Sequence, residues 1–226
     1  MSGVLRIRRV VLAGVLAVTV TAVAQAQPVQ VRGFFDVGGM TFTANDTFKA
    51  VLGSSTGIVF GGGGGVVLPN NVFASVRASR FRKNGERVFV QDGEVFDLGI
   101  ANTITITPLE ITGGYRFAPK PNRTRRPPAR TSHSIAPYVG GGVSWYRYQE
   151  TDEFAAACDE TDQRFTGYHL MGGVDIPIAR WLGAAGEVQW TSVPNALGTN
   201  PGSAAAAFGE TNLGGTTFRV KVVIGR

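Results

Sequence analysis

Thr217-Phe218-Arg219-Val220-Lys221-Val222-Val223-Ile224 is the stretch whose reading decides the fold. Phe218, Val220, Val222 and Ile224 fall on one side of an extended chain; Thr217, Arg219 and Lys221 fall on the other. A period of two marks a strand, because successive strand side chains point to opposite faces. One face asks for an apolar surrounding and the other for water or counter-charge, so the segment reads as a wall between two media.

The theme recurs upstream. Alternating segments of about ten residues, separated by stretches rich in Gly, Pro, Asn and Asp, run from about Val29 to Phe42, Thr56 to Leu68, Val72 to Arg82 and Thr103 to Phe117. They continue from about Ile135 to Gln149, Arg164 to Ile178, Trp181 to Ser192 and Leu213 to Ile224. Arg87 to Val90 reads as an extension of the third segment into a hairpin beyond the membrane. After the leader no run approaches the roughly 20 apolar residues of a membrane helix. The spanning structure left to such a chain is a closed barrel, in which every backbone polar group finds a partner. The expected fold is all-β: an eight-stranded antiparallel up-and-down transmembrane barrel.

Two patterns agree with that count. Aromatic residues collect near strand ends (Phe42, Phe117, Trp145, Tyr146, Trp181, Trp190) and are read as interfacial girdles. The links after strands one, three, five and seven are long, whereas those after two and six are short. Barrels with both termini in the periplasm pair short periplasmic turns with long outer loops. Ala118 to Ser134 breaks the rule: a long link where a short turn is expected, with Lys120, Arg123, Arg125, Arg126 and Arg130 among its prolines. Proline and like charges oppose compact structure, and the cluster suits an anionic periplasmic partner or phospholipid headgroups.

The start of the chain sets the compartment. Arg6, Arg8 and Arg9 precede an apolar run from Val10 to Val23, and Ala24-Gln25-Ala26 supplies small residues for cleavage before Gln27. Residues 1–26 are therefore expected to be a cleavable signal peptide of the general secretory pathway, and 27–226 the barrel domain. The formal charge is +6, of which three positive charges sit in the leader, leaving about +3. That is not the footprint of a nucleic-acid binder, and no nucleic acid is expected. Cys158 is the only cysteine, so an internal disulfide is excluded.

The wording of several strands is familiar. Pro108-Leu109-Glu110-Ile111-Thr112-Gly113-Gly114-Tyr115-Arg116-Phe117 and Pro137-Tyr138-Val139-Gly140-Gly141-Gly142-Val143-Ser144-Trp145-Tyr146 resemble the fourth and fifth strands of small outer-membrane barrels. Gly167-Tyr168-His169-Leu170-Met171-Gly172-Gly173-Val174-Asp175, followed by Trp181-Leu182-Gly183-Ala184-Ala185-Gly186-Glu187-Val188, resembles their sixth-to-seventh hairpin. The resemblance, over most of the mature chain, is to the outer-membrane β-barrel superfamily related to OmpA and OmpX. It implies outer-membrane lipid, lipopolysaccharide and the barrel-assembly machinery as partners, and no cofactor. Family members often end on an aromatic residue that this machinery reads, whereas this chain ends Val223-Ile224-Gly225-Arg226, with Phe218 further back. No peptidoglycan-binding domain is expected after the barrel.

Candidate chemistry lies on the inward faces. Arg32, Asp36, Arg77, Glu110, Arg116, Asp175, Glu187, Arg219 and Lys221 all take inward positions. A barrel of eight strands is only just wide enough for its own side chains, so these charges must pair or reach water. They read as a salt-bridge plug or, alternatively, as the lining of a narrow ion path.

His169 invites a catalytic reading like that of barrel-embedded lipid-modifying enzymes. It has no serine two residues on, Asp175 is about 20 Å along the strand, and Ser144 on the fifth strand is a hydroxyl that register can bring across from it. Gly61 to Gly65 lacks the Lys-Ser/Thr of a phosphate loop. The acidic stretch Glu150, Asp152, Glu153, Asp159, Glu160 and Asp162 lacks the glycine and terminal glutamate of a calcium loop. The expected function is a non-enzymatic envelope protein acting structurally or through its outer loops, with a narrow gated pore as alternative and a lipid-modifying enzyme third.

Overall fold

Each alternating segment forms a strand, and the last strand pairs with the first. The computed structural model describes residues 29–91, 94–117, 135–152, 161–198 and 203–225. In chain order the elements are β1 (Gln30–Phe42), α1 (Asn45–Leu52), β2 (Thr56–Val67), β3 (Val72–Gln91), β4 (Glu94–Arg116), β5 (Ala136–Asp152), β6 (Thr161–Pro177), β7 (Leu182–Ser192), α2 (Ala204–Phe208) and β8 (Gly215–Ile224). Every strand is antiparallel to its neighbours around a closed barrel. The seam runs from Gly33↔Ile224 to Phe42↔Gly215, so no edge is left unpaired in the wall.

The outward alternation makes an apolar belt. Val31, Phe35, Val37, Ile58, Phe60, Leu109, Ile111, Leu170, Phe218 and Val220 are all exposed on the outer surface. Trp145, Trp181, Trp190 and Phe117 also face outward, as a girdle requires. Phe42 and Tyr146 do not. They fall on inward positions of β1 and β5 and are only 3% exposed each. Proximity to a strand end suggested a girdle, but the two-residue period decides the face, and both rings point into the barrel.

One end of the barrel carries both described termini and the short β2–β3 and β6–β7 turns; the other carries α1, α2 and the far ends of β3 and β4. Pro69-Asn70-Asn71 turns the chain with Asn71 at φ 67°, and Leu68 N–H donates to the Val72 carbonyl at 2.8 Å. At the loop end β3 and β4 outrun their neighbours. β2 pairs with β3 only as far as Val59↔Phe81, yet β3 and β4 stay paired to Gln91↔Glu94, with a register shift between Glu86 and Val88. The expected hairpin extension is thus a ribbon standing above the rim.

The links after β1 and β7, expected as loops, contain short helices. Phe48 and Leu52 lie one turn apart in α1 and are both buried, and Gly53 ends the helix at φ 68°. Ser203 caps α2 by accepting from Ala206 N–H at 3.2 Å. Phe48 stacks on Phe42 with centroids 4.0 Å apart, and Phe81 meets Phe42 edge-on at 5.0 Å. With Met40, Val59, Ile104, Ile106, Tyr146, Val193 and Leu213 they form an apolar plug inside the loop end. The inward face is mostly apolar there, with Lys83 bonded to the Ser54 and Thr56 carbonyls and Glu150 to Asn102 at its rim, and the larger charge clusters lie below it.

The signal peptide (1–26), the basic cluster Lys120, Arg123, Arg125, Arg126 and Arg130, His133, and Glu153, Cys158, Asp159 and Glu160 lie outside the described residues.

Candidate functional site: the charged lumen

Register brings the central charges together. Three inward pairs are direct cross-strand partners of opposite sign: Arg77↔Glu110, Asp36↔Lys221 and Glu187↔Arg219. Three carboxylates therefore face three cations at mid-barrel, and the pairs also join across the lumen. From β3, Arg77 donates through Nη2 to Glu187 Oε1 on β7 at 2.8 Å and through Nη1 to Gln189 Oε1 at 3.1 Å. Its Nη1 lies 3.3 Å from Glu110 Oε2 and its Nε 3.3 Å from Asp36 Oδ2. Lys221 Nζ donates to Glu187 Oε2, which also accepts from Tyr138 OH at 3.0 Å. Arg219 bonds Gln189 and lies 3.6 Å from Glu187 and 3.7 Å from Asp36.

All six charged side chains are buried. Burial of this kind is tolerable only because each charge is met by opposite charge and hydrogen bonds. Arg77 and Lys221 also sit over the Phe34 ring, 5.3 and 5.1 Å from its centroid. The glycine run makes room for that ring: Phe34 pairs with Gly63, where an added Cβ would meet the Val76 carbonyl oxygen at 2.0 Å and Phe34 Cζ at 2.9 Å.

Arg32, Arg116 and Asp175 form a separate group at the terminus end. Arg32 Nη1 and Arg116 Nε each lie 2.8 Å from Asp175 Oδ2. These residues border a cavity of about 80 Å³ whose other walls include Phe73, Tyr138, Met171 and Lys221. Thus the nine predicted lumen residues all point inward, six in one network and three in another.

Sequence reading did not single out Tyr138 or Gln189 as partners. The available signal was parity: Gln189 lies two residues after Glu187, and Tyr138 shares an inward row with Ser144. Ser144 does lie across from His169: its Oγ is 2.7 Å from Nδ1, while Thr112 Oγ1 is 2.9 Å from Nε2. Both ring nitrogens are thus occupied by hydroxyls. Ser144 is 0% and His169 1% exposed, so both lie beneath the surface of the barrel wall.

An apolar belt outside a closed eight-stranded wall with a self-paired polar interior defines a transmembrane barrel of the bacterial outer membrane. Residues 10–224 match the model of the outer membrane protein beta-barrel domain, and the chain belongs to that family. Among solved structures it is similar to Neisserial surface protein A (11% identity, TM-score 0.53, covering 89% of this chain and 99% of that one). It is also similar to the N-terminal β-barrel domain of Pseudomonas aeruginosa OprF (12% identity, TM-score 0.46, 87% and 97% covered). The comparison with curated proteins gave no match.

Proposed function

We propose that this protein is a closed-lumen, non-enzymatic component of the outer membrane that supports the envelope and meets its surroundings through its loop end. The terminus end, with its short turns, faces the periplasm in this reading, and the helices and the β3–β4 ribbon face outward. The observation that carries it is the double seal. The Arg77–Glu187 network crosses the lumen at mid-height, and the Phe42–Phe48–Phe81 plug fills the loop end above it. With the scaffold closed, variation in function is left to the loops.

The test is single-channel conductance of the refolded protein in a planar bilayer, with folding checked by the mobility difference between boiled and unboiled samples. A folded, electrically silent barrel supports this reading. Discrete steps altered by Arg219→Ala or Glu187→Ala would replace it with the second reading, a narrow gated pore. That second reading draws on the cavity at the terminus end, which gives a partial vestibule bordered by Arg32 and Arg116.

A further inference from the structure

Not all the arginines of the wall point inward. Arg80, Arg82, Arg147 and Arg164 occupy outward positions and are exposed. Strand register sets them side by side. Thr107 pairs with Arg147 and Arg147 with Arg164, while Arg80 falls opposite Thr107, between the pairs Ala78↔Leu109 and Phe81↔Ile106. One row thus reads Arg80, Thr107, Arg147, Arg164 across β3 to β6. The next row towards the loop end reads Arg82, Thr105, Gln149, Asp162. At about 4.8 Å between strands, the arginine row is about 14 Å wide.

The rows lie directly above the apolar belt. Immediately below them, on the same outward faces, are Ala78, Leu109, Trp145 and Thr166, all exposed, with Tyr168 (51% exposed) one step further down β6. The rim is different on the other side, where the corresponding outward row is Thr216, Thr41 and Thr56, without charge. Inside the barrel, Arg32, Arg77, Arg116 and Arg219 each lie against a carboxylate. Outside, four guanidiniums share one carboxylate of the same rows, Asp162, which binds Arg147 through Nη2 at 2.6 Å and Nε at 2.9 Å. That contact holds the Arg147 fork beside Arg164.

We propose that this arc of arginines binds the phosphates of a phosphorylated glycolipid, lipid A, in the outer leaflet, with its acyl chains against the belt below. The inference rests on the proposed orientation, with the loop end outward. Guanidinium forks match phosphate oxygens bidentately, and their alkyl stems lie along apolar surface while the heads reach the interface. Hydroxyls of Thr107 and Thr105 stand between the arginines as further donors. A disaccharide carrying a phosphate at each end asks for cations spread along a row, not gathered at a point.

The test is native mass spectrometry of the full chain released from vesicles containing lipid A, dephosphorylated lipid A or phosphatidylglycerol. The expected result is preferential retention of phosphorylated lipid A. Each arginine near an anionic surface is worth about fivefold, so the Arg147→Gln, Arg164→Gln pair should weaken retention roughly 25-fold. Arg180→Gln, an exposed cation at the other end, should leave it unchanged. The four single variants are measured as well, so a misfolded double variant still leaves independent readings. Equal retention of dephosphorylated lipid A, or by the arginine variants, would overturn the proposal. Equal retention of phosphatidylglycerol would overturn its commitment to a glycolipid. Conductance steps would sink the closed-lumen reading without touching lipid retention, so the two failures are distinguishable.

Discussion

Arg77 and Glu187 meet across the barrel from β3 and β7, 2.8 Å apart, and every other charge of the central network touches one of the two. Arg77 alone reaches all three carboxylates, and Glu187 alone lies against all three cations. Such a node is costly to break, since its partners are left charged in a poorly hydrated interior.

Glu187→Ala should therefore destabilise the barrel by about 3–5 kcal/mol, as for other buried pairs that lose one partner. Urea unfolding in phospholipid vesicles measures this, followed by the fluorescence of Trp145, Trp181 and Trp190. An effect below about 1 kcal/mol, typical of an exposed pair, would show that water already screens the network.

The two seals act in series, and this has a consequence for conductance. Glu187→Ala alone leaves the apolar plug, and Phe48→Ala alone leaves the charge network. In the closed-lumen reading, each single variant should stay silent in a planar bilayer and the double variant should show openings. Steps from Phe48→Ala alone would mean that the network already passes ions.

The Gly63 position should reject even a methyl group. An added Cβ meets backbone at 2.0 Å there, whereas at Gly33 the nearest atom is 3.9 Å away. Gly63→Ala should lose the folded band on unboiled gels, and Gly33→Ala should keep it.

His169→Ala should leave the acyl composition of cellular lipid A unchanged, because the ring is buried and its two nitrogens meet Ser144 and Thr112. The same variant should cost about 1–3 kcal/mol, since two buried hydroxyls lose their partner. A changed lipid A mass profile that reverts with His169 would restore the enzymatic reading.

Glu210 ties the two helical links together and gives the loop end a pH dependence. Its carboxylate accepts from Thr47 N–H at 2.8 Å and Asp46 N–H at 3.2 Å, at the N-terminus of α1. Burial by itself raises the Glu210 carboxyl, but the hydrogen bonds from Thr47 and Asp46 outweigh it and hold the group below its ordinary range. A depressed acid stabilises the fold above its unfolded value, about 4.3, and that contribution disappears as pH falls through the lower folded value. Hydrogen-exchange protection of Asp46 and Thr47, corrected for intrinsic rates, should fall on acidification in that window. Glu210→Gln should show reduced protection already at neutral pH and a flat response.

The wall was legible in the sequence because a two-residue period is a local signal and a one-residue error inverts a whole face. That is why inward positions for Arg32 and for Lys221 followed without knowledge of register. What joined them did not follow. The Arg77–Glu187 contact links residues far apart in the chain, and no local pattern encodes which inward groups meet across an axis. The plug was hidden for a related reason: α1 is short, and its Phe48–Leu52 stripe is too brief to stand out from a polar loop. Phe42 and Tyr146 were misread because closeness to a strand end was weighed above parity. The rows of Arg80 and Arg147 needed the register itself.

The seam between β1 and β8 carries more than hydrogen bonds. Asp36, Glu110 and Glu187 precede the last strand with only Arg77 to answer them in the central network; β8 brings Arg219 and Lys221 together. A chain lacking its last strand therefore has an open wall and an anionic central network at once. Geometric closure and electroneutrality arrive in the same step, so an incompletely assembled barrel is disfavoured in the bilayer for two independent reasons, and the finished one is relieved of both.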